Sequence, residues 1–167
     1  LPGLLALWIP GKSPDADQGH WIRRTFAAAW LAVELHRDRD DRARLDSLLS
    51  IAKVTDLRPV AAGDVHMDVK RRRALQDTIT AIRVGVPIGD AGNHLFRNGE
   101  RHLRKRDVLA TVYPAELLAE TLVIAQRCHF HLDQLKYRYP SELVPEGETP
   151  AAWLRKLTEE GVRWRWP

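Results

Sequence analysis

Three short apolar runs alternate with amphipathic stretches in the first half of the chain. The runs cover residues 4–9, 30–35 and 59–62, and none of them alternates regularly between apolar and polar positions. Runs of this length are typical of strands that are buried on both faces, as in parallel sheets. The pattern therefore predicts three parallel strands.

Helical periodicity separates and follows these runs. Helices are predicted over residues 18–28, 41–54 and 70–84, where apolar positions recur at a spacing of three or four. The inner stripes of the second and third helices are predicted to be Leu45, Leu48, Leu49 and Ala52, and Leu75, Ile79 and Ile82. Alternating strands and helices predict right-handed crossovers, and hence an α/β fold with a parallel layer or part of a barrel.

The second half of the chain is less regular. Residues 86–106 are predicted to form a long irregular connection, followed by a helix over residues 114–128. The inner stripe of that helix is predicted to be Leu118, Leu122 and Ala125. A linker from residue 129 leads to Thr149 as helix cap, and Pro150 opens a last helix that ends near residue 160. We expect a first domain over residues 1–128 and a linker with its helix over residues 129–167.

The composition predicts the cellular compartment of the protein. Its one cysteine, Cys128, excludes an internal disulfide and favours a reducing compartment, so we expect a cytoplasmic protein. No apolar run approaches the roughly 20 residues of a membrane helix, so no membrane association is expected. The chain opens on Leu1 and holds a single methionine, Met67, which suggests a piece of a longer protein.

The excess positive charge, +4 for the whole chain, is concentrated in one strongly basic segment. Residues 70–106 hold ten Lys and Arg against three Asp and Glu. Such a segment could face nucleic-acid phosphates, it could be a solvated loop and helix face, or it could pack against a part of the protein outside this chain and neutralise acidic surface there. The candidate nucleic-acid-binding residues are Lys70, Arg71, Arg72, Arg73, Arg101 and Arg104.

The best candidate for a functional site is the pair Asp64 and His66, which directly follows the third predicted strand. Groups at the carboxyl ends of parallel strands face the ligand-binding crevice, and an extended backbone would point both side chains the same way. A carboxylate and an imidazole suit a hydrolytic metal, and Asp68 continues that face. Alternatively, Asp64 caps the helix that begins near Lys70. A second group, Cys128 with His129 and His131, is a weaker metal candidate, since Cys128 is expected to be a buried thiol.

Longer segments of the sequence resemble a known family. The segments AAGDVHM (61–67), RRALQDT (72–78), AIR (81–83) and NGERHLR (98–104), with residues in the range 130–150, resemble the bacterial error-prone DNA polymerases. That family is related to the alpha subunit of DNA polymerase III, and the resemblance runs over essentially the whole chain in order.

The resemblance implies a fold and a role for the chain. It implies the later part of a polymerase-and-histidinol-phosphatase (PHP) domain, an incomplete (β/α) barrel with parallel strands, and then the start of the link to the polymerase palm. Asp64 and His66 match the family's last metal motif, with Zn²⁺ or Mn²⁺ as candidate ions, whereas the family often has histidine at the position of Asp68. The metal ligands upstream and the palm carboxylates downstream lie outside the chain, so we expect it to be inactive alone.

The same resemblance implies partners for the parent protein. They are a DNA template-primer, dNTPs with Mg²⁺, a sliding clamp and accessory translesion proteins. Two alternatives are a free-standing metal-dependent phosphoesterase or 3′→5′ exonuclease of the PHP type, and a non-catalytic scaffold domain of the polymerase.

Overall fold

A computed structural model describes residues 3–135 and 143–166 of the chain. Leu1, Pro2, residues 136–142 and Pro167 lie outside the described residues, and so does the family resemblance at Tyr137, Tyr139, Pro140 and Glu142. The chain forms two compact units, Leu1–Cys128 and His129–Pro167, which are described separately below.

The first unit is built on a parallel sheet. Strands β1 (Leu5–Trp8), β2 (Ala28–Glu34) and β3 (Arg58–Ala62) lie side by side in chain order, and both pairings are parallel. The prediction of three parallel strands in an α/β fold is therefore confirmed. All three strands end at the same edge of the sheet, which places the residues that follow β2 and β3 next to each other.

The described residues form six α-helices, five in the first unit and one in the second. They are α1 (Ala16–Thr25), α2 (Asp41–Thr55), α3 (Arg73–Val84), α4 (Arg106–Ala110), α5 (Ala115–Arg127) and α6 (Pro150–Arg165). Short 3₁₀ turns cover Lys70–Arg72, Gly92–His94 and Leu132–Gln134.

The two faces of the sheet are covered by different helices. Leu31 and Val33 of β2 are fully buried in a cluster with Ile22 of α1 and Leu48 of α2. On the opposite face, Trp30 packs with Val60, and Ile124 of α5 packs against them. The Trp30 Nε1 atom donates a hydrogen bond to Glu120 of α5 at 2.7 Å, which fixes that helix against the sheet.

The first predicted helix is shifted, whereas the second is correct. Helix α1 ends at Thr25, because Phe26 already has extended backbone angles and Ala28 begins β2. The predicted helix to residue 28 was therefore too long. In α2 the predicted stripe is confirmed: Leu48 and Ala52 are buried, and Leu45 and Leu49 pack against the same cluster.

The inner stripe predicted for α3 is wrong. Leu75, Ile79 and Ile82 are 49%, 51% and 74% exposed, whereas Thr80 and Ala81 are the buried residues of the helix. The reason is that α5, rather than α3, packs against β3. The helix is amphipathic as predicted, but its apolar side faces outward in the described unit.

Two predictions at α5 are also wrong. Leu122 is 64% exposed, whereas Leu118 packs against the main cluster as predicted and the buried residue of the helix is Leu117. Cys128 is exposed rather than buried, since it is the C-cap of α5 and its backbone has left the helix with ψ of 98°.

The described part of the second unit contains a 3₁₀ turn and one long helix. Thr149 is the N-cap of α6 as predicted, and its side chain accepts a hydrogen bond from the Ala152 N–H at 3.3 Å. The helix continues to Arg165 and so extends beyond its predicted end. Neither α6 nor the Leu132–Gln134 turn contains a buried residue.

Candidate functional site at the carboxyl end of the sheet

Asp64 and His66 lie directly after β3 and contact each other. The His66 Nε2 atom lies 3.0 Å from the Asp64 Oδ1 atom, and a carboxylate can only accept, so the imidazole donates this hydrogen bond. The backbone of Asp64 is left-handed, with φ of 42°. The expected extended conformation is therefore wrong at Asp64, and the two side chains contact each other from a backbone that is left-handed there.

A distant arginine completes the surroundings of Asp64. Arg101 forms an ion pair with the Asp64 carboxylate, and its guanidinium lies 4.4 Å from the centre of the Phe96 ring. The same ring lies 4.8 Å from the His66 imidazole. Burial lowers the pKa of Arg101, an effect that the charges of Glu34 and Asp38 oppose. Asp64 therefore has a cation and an N–H donor already in place.

Backbone hydrogen bonds hold these two segments together. The Arg101 carbonyl accepts hydrogen bonds from the His66 N–H at 2.9 Å and the Met67 N–H at 3.1 Å. The Leu103 N–H donates back to the Met67 carbonyl at 3.0 Å. These hydrogen bonds hold the irregular connection predicted over residues 86–106 against residues 66 and 67. Arg101 therefore lies close enough to contact the Asp64 carboxylate.

The alternative in which Asp64 caps a helix is wrong. Val69 is the N-cap of the turn that begins at Lys70, and no side chain caps it. Asp68 does not join the Asp64–His66 pair either, because it forms an ion pair with Arg72 at 3.3 Å.

Most of the candidate nucleic-acid-binding residues have partners within the unit. Lys70 contacts the nearly buried Glu100 carboxylate at 2.6 Å, and Arg73 contacts Asp77 at 3.4 Å. Arg104 donates a hydrogen bond to the Leu35 carbonyl at 3.0 Å. Arg72 forms an ion pair with Asp68, and Arg101 forms one with Asp64. Five of the six predicted residues therefore have a partner within the unit. These five residues thus contact groups of their own unit, and nucleic-acid binding by the basic segment stays a prediction.

The Glu100 carboxylate shows the effect of this pairing on a pKa. Burial acts to raise the pKa of Glu100, but the hydrogen bond and the charge of Lys70, together with Arg37 and His102, bring that pKa below its ordinary value. Lys70 therefore stabilises the ionised form of a buried acid and acts as a structural residue.

His36 is a residue of this region that sequence analysis missed. It follows β2 as Asp64 follows β3, and it is 8% exposed. Burial, and after it the charges of Arg101 and Arg104, lowers the pKa of His36, while a hydrogen bond with the Gly63 backbone and the charge of Asp41 oppose that change. Within the described residues the His36 Nε2 atom has no hydrogen-bond partner. In the sequence, the only feature that indicates a functional role for His36 is its position directly after the second predicted strand.

A small, mostly apolar cavity lies next to Gly63 and Val65, the neighbours of Asp64 in the sequence. Its volume is about 250 Å³, and Tyr113 at its wall donates a hydrogen bond to the Ala62 carbonyl at 2.7 Å. The residues that line it are Ala61, Ala62, Gly63, Val65, His102, Leu103, Arg104, Leu109, Tyr113, Leu118 and Thr121.

The described residues do not complete a metal site by themselves. Among residues 3–135 and 143–166, no group of three or more His, Cys, Asp or Glu side chains is arranged to hold a metal ion. Cys128, His129 and His131 therefore do not form such a group either. Asp64 and His66 supply two ligand types that suit Zn²⁺ or Mn²⁺, but a stable site needs three or four ligands. Further ligands would have to come from outside the described residues.

Comparison with known proteins finds relatives that match the whole chain. No protein-family model matches the chain. A protein of Pseudomonas aeruginosa named error-prone DNA polymerase is 58% identical to it over 168 aligned residues, which cover 100% of the chain. Proteins of the same name from Xanthomonas campestris pv. campestris (strain B100) and Pseudomonas fluorescens (strain Pf0-1) are 55% and 54% identical over the same coverage. The chain is homologous to the bacterial error-prone DNA polymerases.

The resemblance to this family is thereby confirmed over the whole sequence. The chain spans 16% of the length of these curated relatives. Among the described helices, none combines the length and the apolar character that a bilayer-spanning segment needs.

Proposed function

We propose that this chain is one segment of an error-prone DNA polymerase, and that the parent protein copies DNA templates, including damaged ones. The observation that carries this proposal is the identity of 54–58% over the entire chain to three proteins of that name. The substrates of the parent are then a DNA template-primer and dNTPs with Mg²⁺. A sliding clamp and accessory translesion proteins are its partners, and the cytoplasm is its location.

A free-standing phosphoesterase is a poorer explanation. The relatives contain this sequence as 16% of a much longer polypeptide.

We assign the chain to the PHP region of the parent. The parallel α/β layer suits this assignment, and Asp64 and His66 occupy the expected place at the carboxyl end of β3. In this proposal they are two ligands of a Zn²⁺ or Mn²⁺ site whose remaining ligands belong to other parts of the parent. The exonuclease activity considered for such domains is not assigned to this chain.

A non-catalytic scaffold is the second candidate role for the region. The observation that favours it is the ion pair between Arg101 and Asp64, since a guanidinium already balances the carboxylate charge. In this role the Asp64–His66–Arg101 contacts stabilise the connection between the β3 end and the 97–104 segment, and metal is not required.

The polymerase proposal is tested by DNA synthesis. The purified intact parent should extend a primer on an undamaged template with dNTPs and Mg²⁺, whereas the 167-residue chain alone should incorporate no nucleotide. If the intact parent incorporates none under conditions where a control polymerase extends the primer, the proposal is wrong.

Metal content separates the two roles of the region. In the intact parent, Asp64→Asn should lower the bound Zn²⁺ or Mn²⁺ per molecule, because it removes one charged ligand, while the matched variant Asp68→Asn should keep it. Equal metal content in wild type and Asp64→Asn would exclude the ligand role. The scaffold role would then be supported if Asp64→Asn and Arg101→Gln both lower the unfolding temperature.

A further inference from the structure

A side chain of the same unit already neutralises the carboxylate that we assign to the metal site. The Arg101 guanidinium forms an ion pair with the Oδ2 atom of Asp64. The other oxygen, Oδ1, accepts a hydrogen bond from the His66 Nε2 atom at 3.0 Å. Both carboxylate oxygens that could ligate a metal ion therefore have a partner within the chain.

Contacts other than the ion pair hold Arg101 beside Asp64. Its guanidinium lies 4.4 Å from the centre of the Phe96 ring, which is a cation–π contact. Its backbone carbonyl accepts hydrogen bonds from the His66 N–H at 2.9 Å and from the Met67 N–H at 3.1 Å. Since the ring and the backbone position Arg101 independently of the carboxylate, the ion pair is a feature of the packed unit.

This ion pair is better shielded from water than a neighbouring pair of the same type. The side chains of Arg101 and Asp64 are 22% and 35% exposed, whereas those of Arg72 and Asp68 are 55% and 58% exposed. Water and salt screen exposed pairs so well that these contribute little, but they screen partly buried charges much less. The charge of Arg101 therefore acts strongly on Asp64.

A metal ion and the Arg101 guanidinium compete for the same carboxylate. A guanidinium keeps its positive charge in proteins and has no lone pair to offer a metal ion. A divalent cation at Asp64 would therefore lie next to a second positive charge, and like charges this close repel each other. The ion pair thus weakens metal binding, and bound metal weakens the ion pair.

We propose that Arg101 sets the metal affinity of the Asp64–His66 site, because it occupies Asp64 in the metal-free protein and competes there with Zn²⁺ or Mn²⁺. The inference rests on the proposed function, since it takes Asp64 as a metal ligand. Arg101 acts through Asp64 and is a positioning residue, not a ligand. The scaffold contact and the metal ligand then describe the metal-free and the metal-bound form of one site.

Zinc titration of the intact parent tests this inference. The protein is freed of metal with a chelator and dialysed against a series of Zn²⁺ concentrations, and the bound Zn²⁺ per molecule is measured. The Zn²⁺ that Asp64→Asn fails to bind belongs to this site. Arg101→Gln should raise the Zn²⁺ affinity of the site about tenfold or more, which is the size of effect that neighbours of metal ligands usually have.

Two further variants separate the charge of Arg101 from its structural role. Arg101→Lys keeps the positive charge, so its Zn²⁺ affinity should stay close to that of the wild type. Arg83→Gln is the matched control, because it removes the same charge from an exposed position in the last turn of α3. It should leave the Zn²⁺ affinity unchanged.

A measurement on the wild-type parent covers the case in which Arg101→Gln does not fold. Phenylglyoxal modifies accessible arginines, and peptide mass spectrometry quantifies the modification at each position. Addition of Zn²⁺ should increase the modification of Arg101 several-fold, because the guanidinium loses its partner, while that of Arg83 should stay constant. Equal modification of Arg101 with and without Zn²⁺ would overturn the inference.

The titration also distinguishes failure of the inference from failure of the proposed function. If Asp64→Asn loses Zn²⁺ but Arg101→Gln binds it no more tightly than wild type, or if Arg101→Lys gains as much affinity as Arg101→Gln, only the role of Arg101 is wrong. If Asp64→Asn binds as much Zn²⁺ as wild type, the ligand assignment is wrong and the inference with it. Primer extension by the same preparations tests the polymerase proposal independently of either result.

Discussion

The buried imidazole of His36 should make the stability of the first unit depend on pH. Its pKa is lowered from the ordinary value of 6.5 by burial and by the charges of Arg101 and Arg104, against the opposing charge of Asp41. The unfolded chain therefore binds more protons than the folded chain below that value, and the stabilising contribution is lost as the pH falls.

We predict that His36→Gln weakens this pH dependence. Between pH 7.5 and pH 5.5 the wild-type chain should lose stability that the variant retains, with a difference of at most about 1.4 kcal/mol per pH unit. Urea unfolding at a series of pH values measures it. Parallel pH profiles for the two proteins would show that His36 does not titrate differently in the folded state.

The fully buried Leu48 tests the packing of the main cluster at the same scale. Leu48→Ala should lower the free energy of unfolding by about 2–5 kcal/mol, because it removes buried methyl groups and leaves a cavity. Val54→Ala, on the exposed side of the same helix, should change it by less than about 0.5 kcal/mol. Similar losses in both variants would contradict the orientation of α2.

At the scale of elements, helix α1 approaches α2 and β1 too closely for any side chain at Gly19. A Cβ atom there would lie 2.5 Å from the Thr55 Cγ2 atom and 2.8 Å from the Trp8 Cζ3 atom. Both neighbours are buried and cannot move aside. The requirement for glycine is therefore set by the packing of three elements.

We predict that Gly19→Ala destabilises the unit. Alanine would favour the helix by about 1 kcal/mol, but overpacking costs about 1–3 kcal/mol, so the net effect should be a loss of stability. Gly11→Ala is the matched control, because a Cβ at Gly11 meets nothing within 4 Å. Chemical denaturation compares the two, and a Gly19→Ala protein more stable than wild type would contradict the close approach of α1 to α2 and β1.

Helix α2 and helix α3 show how much of the fold the sequence could predict. Both have clear apolar stripes, but a periodic pattern reveals only that one face is apolar and not which neighbour covers it. The stripe of α2 packs in the main cluster with residues of β2, whereas α5, and not α3, packs against β3. Strand existence and direction were predictable, since the runs between helices leave few other topologies.

The candidate site was only partly predictable for a similar reason. Asp64 and His66 could be found because they follow a strand directly in the sequence. Arg101 approaches Asp64 from a segment 97–104 that has no regular structure, so no local pattern indicates their contact. His36 carries no neighbouring motif, and both its burial and its nearness to the charges of Arg101 and Arg104 arise only in the folded chain.

At the scale of the whole molecule, the two units differ in what they can do alone. The Leu1–Cys128 unit has a packed sheet and two buried clusters, whereas α6 of the second unit contains no buried residue. Leu75, Ile79 and Ile82 of α3 are exposed as well. The chain spans 16% of the length of the curated relatives, and we propose that these exposed surfaces belong to a larger protein.

The most direct test of the central proposal is synthesis across damage by the intact parent protein. Primer extension with dNTPs and Mg²⁺ is followed on an undamaged template and on one that carries an abasic site. We predict extension on the undamaged template and measurable incorporation opposite and beyond the lesion. A parent protein that incorporates no nucleotide on either template would contradict the account.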